Sequence, residues 1–122
     1  MQYKHAYISG PMTGYANYNR AAFEEAEERL KKFFPDMINP LKLPDPEGLT
    51  GDPEYDWTLY LARDMAIISK KVSFLIMLPG WKNSRGARLE KLFADNLLIS
   101  TYEFSDIIKR MTHLTEVLKS QQ

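Results

Sequence analysis

The chain has 122 residues, 44% hydrophobic and 26% charged, and its sixteen basic side chains balance sixteen acidic ones. That composition belongs to one soluble globular domain; it excludes a mostly disordered chain and an affinity built on neutralising nucleic-acid phosphates. The absence of cysteine excludes disulfides, thiolate metal centres and cysteine nucleophiles, and two histidines, His5 and His113, argue against a histidine-built metal site.

The first element is a strand, Tyr3 to Ser9, stopped by Gly10-Pro11. Helical spacing of Ala22, Phe23, Ala26, Leu30, Phe33 and Phe34 predicts a helix over Asn19–Phe34, ended by Pro35. Met37-Ile38 is a very short strand candidate before Asn39-Pro40. Residues 40–55 carry prolines and glycines and read as a loop. Asp56 is the expected cap of a helix running to about Lys70.

Val72 to Leu78 is the most apolar stretch, ended by Pro79-Gly80. It is far shorter than the roughly 20 residues of a membrane helix and reads as a central parallel strand covered on both faces. Ser84 is the expected cap of a third helix to about Asn96. Leu97 to Thr101 reads as another short strand. Apolar residues at 104, 107, 108, 111, 114 and 118 predict a final amphipathic helix.

Alternating strands and helices imply an α/β domain. Its parallel sheet is expected to have about four to five strands flanked by helices, in a small Rossmann-like or flavodoxin-like arrangement, with a C-terminal helix at about 103–120. No internal repeat or domain boundary interrupts residues 1–122. The segment MQYKHAYISGPM lacks the apolar core and cleavage site of a signal peptide, so the expected location is cytoplasmic. Ligands of such sheets bind outside the carboxyl ends of the strands. Three stretches qualify: Ser9 to Gly14, Asn39-Pro40, and Leu78 to Ser84.

The stretch from Pro79 to Glu90 is an apolar strand end, a glycine turn and a helix start. Its first turn presents free backbone N–H groups beside the Ser84 hydroxyl, and Gly86 permits close approach to the backbone. That geometry suits a phosphate or a sugar hydroxyl; an ordinary serine-capped helix reads equally well. Glu90 lies on the same helix and points either toward whatever the first turn holds or into solvent, paired with Arg85, Arg88 or Lys91. Asp64 has apolar neighbours on the helix before. It is either a partly buried general acid or an ion-pair partner of Arg63, Lys70 or Lys71 on a wet face. Tyr7 reads as core or as a ligand contact. Trp57 and Trp81 read as core or rim aromatics.

Together these pieces resemble the nucleoside 2-deoxyribosyltransferase family and the related deoxynucleoside 5′-monophosphate N-glycosidases, in particular small phage and bacterial members. The resemblance rests on Tyr7-Ile8-Ser9-Gly10-Pro11, on Asp64, and on Ser84-x-Gly86-Ala87-x-x-Glu90, and it covers residues 3–101. It implies cleavage of the N-glycosidic bond of a (deoxy)nucleoside or its 5′-monophosphate, by hydrolysis or by transfer to another base. Glu90 would be the nucleophile that forms a covalent glycosyl-enzyme, and Asp64 would assist departure of the base. Tyr7, Ser9, Gly10, Pro11, Asn39, Ser84, Gly86 and Ala87 would line the substrate pocket. The chemistry implied needs no metal and no organic cofactor. The expected partners are a small nucleoside or nucleotide and further copies of the chain, in a homodimer or higher oligomer, with neither a nucleic-acid polymer nor a membrane. The alternative is a non-catalytic nucleotide sensor of the same Rossmann-like group.

Overall fold

A computed structural model describes residues 5–121. Strand β1 (His5–Ser9) is followed by helix α1 (Arg20–Leu30) and helix α2 (Pro53–Lys71). Strand β2 (Val72–Met77), helix α3 (Arg85–Asn96), strand β3 (Ser100–Glu103) and helix α4 (Phe104–Ser120) complete the chain. The three strands form one parallel sheet in the order β1-β2-β3, with Ser9 opposite Met77 and Met77 opposite Glu103.

The sheet has fewer strands than the four to five expected. The Met37-Ile38 candidate contributes one isolated parallel bridge, Ile38 to Tyr7, on the free edge of β1. Ile38 accepts from Ile8 N at 3.0 Å and donates to Ala6 O at 2.8 Å, and Asn39 then turns the chain away. The expected strand at Leu97 to Thr101 begins later, at Ser100. Leu97, Leu98 and Ile99 close α3 instead. Leu98 N bonds Asp95 O at 3.2 Å and Ile99 N bonds Ala94 O at 2.9 Å. This is a Schellman closure with Leu98 in the left-handed conformation at φ 60°. Tyr3 and Lys4, the start of the predicted first strand, lie outside the described residues.

Period-two alternation sends neighbouring strand residues to opposite faces. Ala6, Ile8, Ile76 and Leu78 pack with Phe23, Ala26 and Leu30 of α1 and with Ile107 of α4. Tyr7, Val72, Leu75 and Met77 pack on the other face with Ile68 of α2 and with Ala87 and Ala94 of α3. Helices therefore cover both sides of the sheet. Ser9 shares the Tyr7 face, two residues on, and so points toward α2 and α3.

Helix α2 starts earlier than predicted. Its cap is Asp52, whose carboxylate accepts from Glu54 N at 3.2 Å, with Pro53 in the first turn. Asp56 folds back on the preceding loop and accepts from Thr50 N, Thr50 Oγ1 and Gly51 N at 2.8–2.9 Å. Those bonds, Thr50 N–H first, hold its carboxyl below the usual range. Helix α1 spans less than expected: its regular bonding ends at Leu30, and Phe33 and Phe34 form a closing turn through their N–H bonds to Leu30 O.

Candidate active site

Helical spacing on α3 buries Ala87, Glu90 and Ala94 together, and spacing on α2 buries Asp64 with Ile68. Both carboxyls thus enter the layer between the helices and the Tyr7–Ser9 face of the sheet. Glu90 is 6% exposed and Asp64 7%. Tyr7 Oη donates to Glu90 Oε2 at 2.7 Å, and Ser9 Oγ donates to Glu90 Oε1 at 2.7 Å. Each oxygen of the glutamate therefore has its own hydroxyl donor from β1.

Burial raises the Glu90 carboxyl to about 8, and repulsion from Asp64 adds to that; the Ser9 and Tyr7 hydrogen bonds pull it back down. Burial also raises Asp64, against the opposing pull of the Arg63 guanidinium. Arg63 Nε and Nη2 both donate to Asp64 Oδ1, at 3.1 and 3.0 Å. Tyr7 is pushed well above its ordinary value, by burial first and then by both carboxylates, so its hydroxyl remains a donor. Burial and mutual repulsion therefore both favour retention of a proton by the pair.

The first loop closes over the end of β2. A Cβ on Gly10 would stand 2.7 Å from Leu78 Cβ, so no larger residue fits that crossing. Gly80 has φ +86°, and a Cβ there would stand 2.9 Å from the Tyr15 hydroxyl. Pro11 is buried, and its carbonyl accepts from Asn19 Nδ2 at 2.9 Å. Asn17, Tyr18 and Asn19 follow as three consecutive left-handed residues.

At the start of α3, Ser84 Oγ accepts from Ala87 N at 3.2 Å, as a helix cap. The Arg85 and Gly86 N–H groups precede any carbonyl that the helix could offer them. The bare side of Gly86 faces the Trp57 ring, 3.9 Å from where a Cβ would stand. Arg85 stacks over that same ring at 4.3 Å. Trp57 is thus a rim aromatic beside the first turn.

Glu90, Asp64, Tyr7 and Ser9 are drawn into one cluster, while Gly10 packs on Leu78 and Pro11 lies beside Gly80. Ser84, Gly86 and Ala87 form the first turn of the helix that carries Glu90. The side chain of Asn39 is occupied locally: Oδ1 accepts from Leu41 N at 3.0 Å and Nδ2 donates to Glu27 at 3.3 Å. Asp64 does pair with Arg63, but the pair is sheltered, with side chains 16% and 11% exposed, rather than on a wet face. From the sequence, Arg63 reads only as a surface counter-ion. Its signal was its place next to Asp64 among apolar neighbours, which buries the pair.

The bridge at Ile38 lies on one side of β1 and strand β2 on the other. Chain connections therefore diverge at the carboxyl end of β1, where Ser9 meets Glu90; such divergence opens a crevice in parallel sheets. Among the described residues, no group of three or more His, Asp or Glu side chains is arranged to hold a metal ion, and no helix is long and apolar enough to cross a membrane.

A family model described as a domain of unknown function (DUF4406) matches residues 4–102. No curated protein and no solved structure matches the chain.

Proposed function

The chain belongs to the DUF4406 family, and we propose that it cleaves the N-glycosidic bond of a (deoxy)nucleoside or its 5′-monophosphate on a Rossmann-like sheet. The observation that carries this reading is the buried Glu90–Asp64 pair, with both Glu90 oxygens held by Tyr7 and Ser9. A paired carboxylate and carboxylic acid are the two groups that a retaining glycosidic cleavage requires.

With the proton of the pair moved from Glu90 to Asp64, Glu90 as carboxylate attacks the anomeric carbon. The carbon–nitrogen bond breaks, its electron pair leaves with the base, and the base takes the proton that the pair had held, delivered by Asp64. Water then attacks the same carbon. Its proton returns to Asp64, the ester bond breaks, and Glu90 is regenerated as carboxylate. A second base in place of water gives transfer instead of hydrolysis. Two displacements at one carbon retain its configuration. The Tyr7 and Ser9 hydroxyls aim both oxygens and hold the carboxylate as it forms. The α3 first turn, with Ser84, Arg85 and Gly86, supports a 5′-phosphate as the anchored group.

The test is a panel of ribo- and deoxynucleosides and their 5′-monophosphates, with and without a second free base, followed by chromatography for released base. Base release by wild type, absent in Glu90→Ala, is the expected result. Tight nucleotide binding with no release by wild type would overturn the catalytic reading and favour a sensor.

A further inference from the structure

The Arg63 guanidinium reaches three separate backbone and side-chain partners. Nη1 donates to Pro44 O at 2.9 Å, and Nη2 donates to Pro40 O at 3.2 Å. Nε and Nη2 together hold Asp64 Oδ1 and leave Oδ2 without an Arg63 hydrogen bond. The group also lies over the Tyr60 ring at 5.1 Å, and the Tyr60 hydroxyl donates to Asp45 at 3.0 Å. One planar cation therefore ties both ends of the Pro40–Pro44 segment to one carboxylate of the buried pair. A lysine has one charge and no fork, and cannot make this set of contacts at once.

We propose that Arg63 is a positioning residue that couples seating of the Pro40–Asp45 loop to the orientation and charge of Asp64, and this rests on the glycosidic reading above. With the loop seated, two carbonyls fix the plane of the guanidinium, and the guanidinium in turn fixes Asp64 Oδ1. Lifting the loop removes both carbonyl anchors and lets the cation swing, so Asp64 is aimed only when the loop is down. Among the described residues, Asp64 faces Arg63, Glu90 and Tyr7, and Glu90 faces Asp64, Tyr7 and the Ser9 hydroxyl. Arg63 is the one cation in that set, so its loss favours a neutral Asp64.

The experiment compares Arg63→Gln and Arg63→Lys with wild type. For Arg63→Gln, kcat is expected to fall about 100-fold, as for other misplacements near reacting groups. The acidic limb of its pH–rate profile should move to higher pH, because the neighbouring positive charge that favoured ionised Asp64 is gone. Arg63→Lys should return the acidic limb to its wild-type position and leave KM raised, since the charge is restored and the loop anchors are not. Amide hydrogen exchange at residues 41–48 should quicken in both variants. An unmoved acidic limb in Arg63→Gln, or unchanged exchange in that loop, would overturn the coupling. The exchange measurement and a carbon-13 titration of the Asp64 carboxyl read Arg63 without turnover. If wild type cleaves nothing, the glycosidic reading fails while these two still decide the role of Arg63.

Discussion

Tyr7 and Glu90 are 83 positions apart in the chain and 2.7 Å apart in space, the phenol of β1 donating to the carboxylate of α3. The phenol cannot ionise at working pH, so the bond has a fixed donor. With Ser9 on the other oxygen, the glutamate is held at both ends by neutral hydroxyls. Asp64 is the charged neighbour that opposes its ionisation. These opposed influences set how the site should respond to mutation and pH.

On the proposed mechanism, replacing Glu90 by Gln removes the nucleophile and keeps its shape. Base release should fall by on the order of 1000-fold or more, as for other single nucleophile losses, while circular dichroism stays native. A variant with wild-type turnover would remove Glu90 from the reaction.

The Glu90 carboxyl also makes stability depend on pH. Its folded value, about 8, lies above its ordinary 4.5, so its contribution to stability is fully present below 4.5. That contribution is lost as pH rises from 4.5 to 8 and is flat above. Each unit of the shift corresponds to about 1.4 kcal/mol, so the total is a few kcal/mol. Urea midpoints at mildly acid and mildly alkaline pH should show that Glu90→Gln lacks this fall. Parallel curves for the two proteins would contradict the burial argument.

Turnover should fall on the alkaline side as the shared proton leaves the pair, near pH 8. Tyr7→Phe and Ser9→Ala each delete a donor that favours the charged glutamate. Both should therefore move the alkaline limb to higher pH and lower kcat about tenfold, the equivalent of one hydrogen bond to a charged group. A limb that moves to lower pH would reverse the assigned roles.

Two glycines separate packing from ligand approach. Gly10→Ala places a methyl 2.7 Å from Leu78 Cβ and should cost about 1–3 kcal/mol, the range for overpacking, measured by thermal unfolding. Gly86→Ala meets Trp57 at an ordinary 3.9 Å, inside a helix. It should stabilise by about 0.5–1 kcal/mol, from helix preference alone. If the α3 first turn receives the substrate, that same variant should raise KM. An unchanged KM would move the anchored group elsewhere.

Leu98 is 93% exposed and left-handed, so it contributes strain and almost no packing. Leu98→Gly should raise stability by about 1 kcal/mol, seen as a higher denaturant midpoint. A loss would show that the closure of α3 depends on the leucine side chain.

Helix α3 was legible because three signals agree there: a Pro-Gly break, a serine cap and apolar spacing through Ala94. The start of α2 was not, because Asp52 and Asp56 both stand at cap-like positions. Pro53 was the readable discriminator, since proline is favoured in a first helical turn. The run Leu97-Leu98-Ile99 looks like a strand by composition, yet backbone closure of α3 consumes it. Glu90 and Asp64 were legible as residues. The resemblance puts Tyr7 and Ser9 in the same pocket, but their hydrogen bonds to Glu90 are not legible, because they lie 83 and 81 positions away and spacing along one helix says nothing about a strand that far off. Arg63 reads as solvated because adjacent opposite charges usually are; the Pro40 and Pro44 carbonyls that shelter it are invisible to local pattern.

The hydroxyl donors come from before the irregular 43–52 loop and both carboxyls from after it. Glu47 and Gly48 sit on that loop, exposed. A nick there divides the chain into one piece with Tyr7 and Ser9 and another with Asp64 and Glu90, and exposed loop tips are where such cuts are tolerated. Neither piece holds a complete reaction centre. If the proposed activity holds, turnover by the mixed halves becomes a direct count of reassembled molecules, and the protein serves as its own complementation reporter.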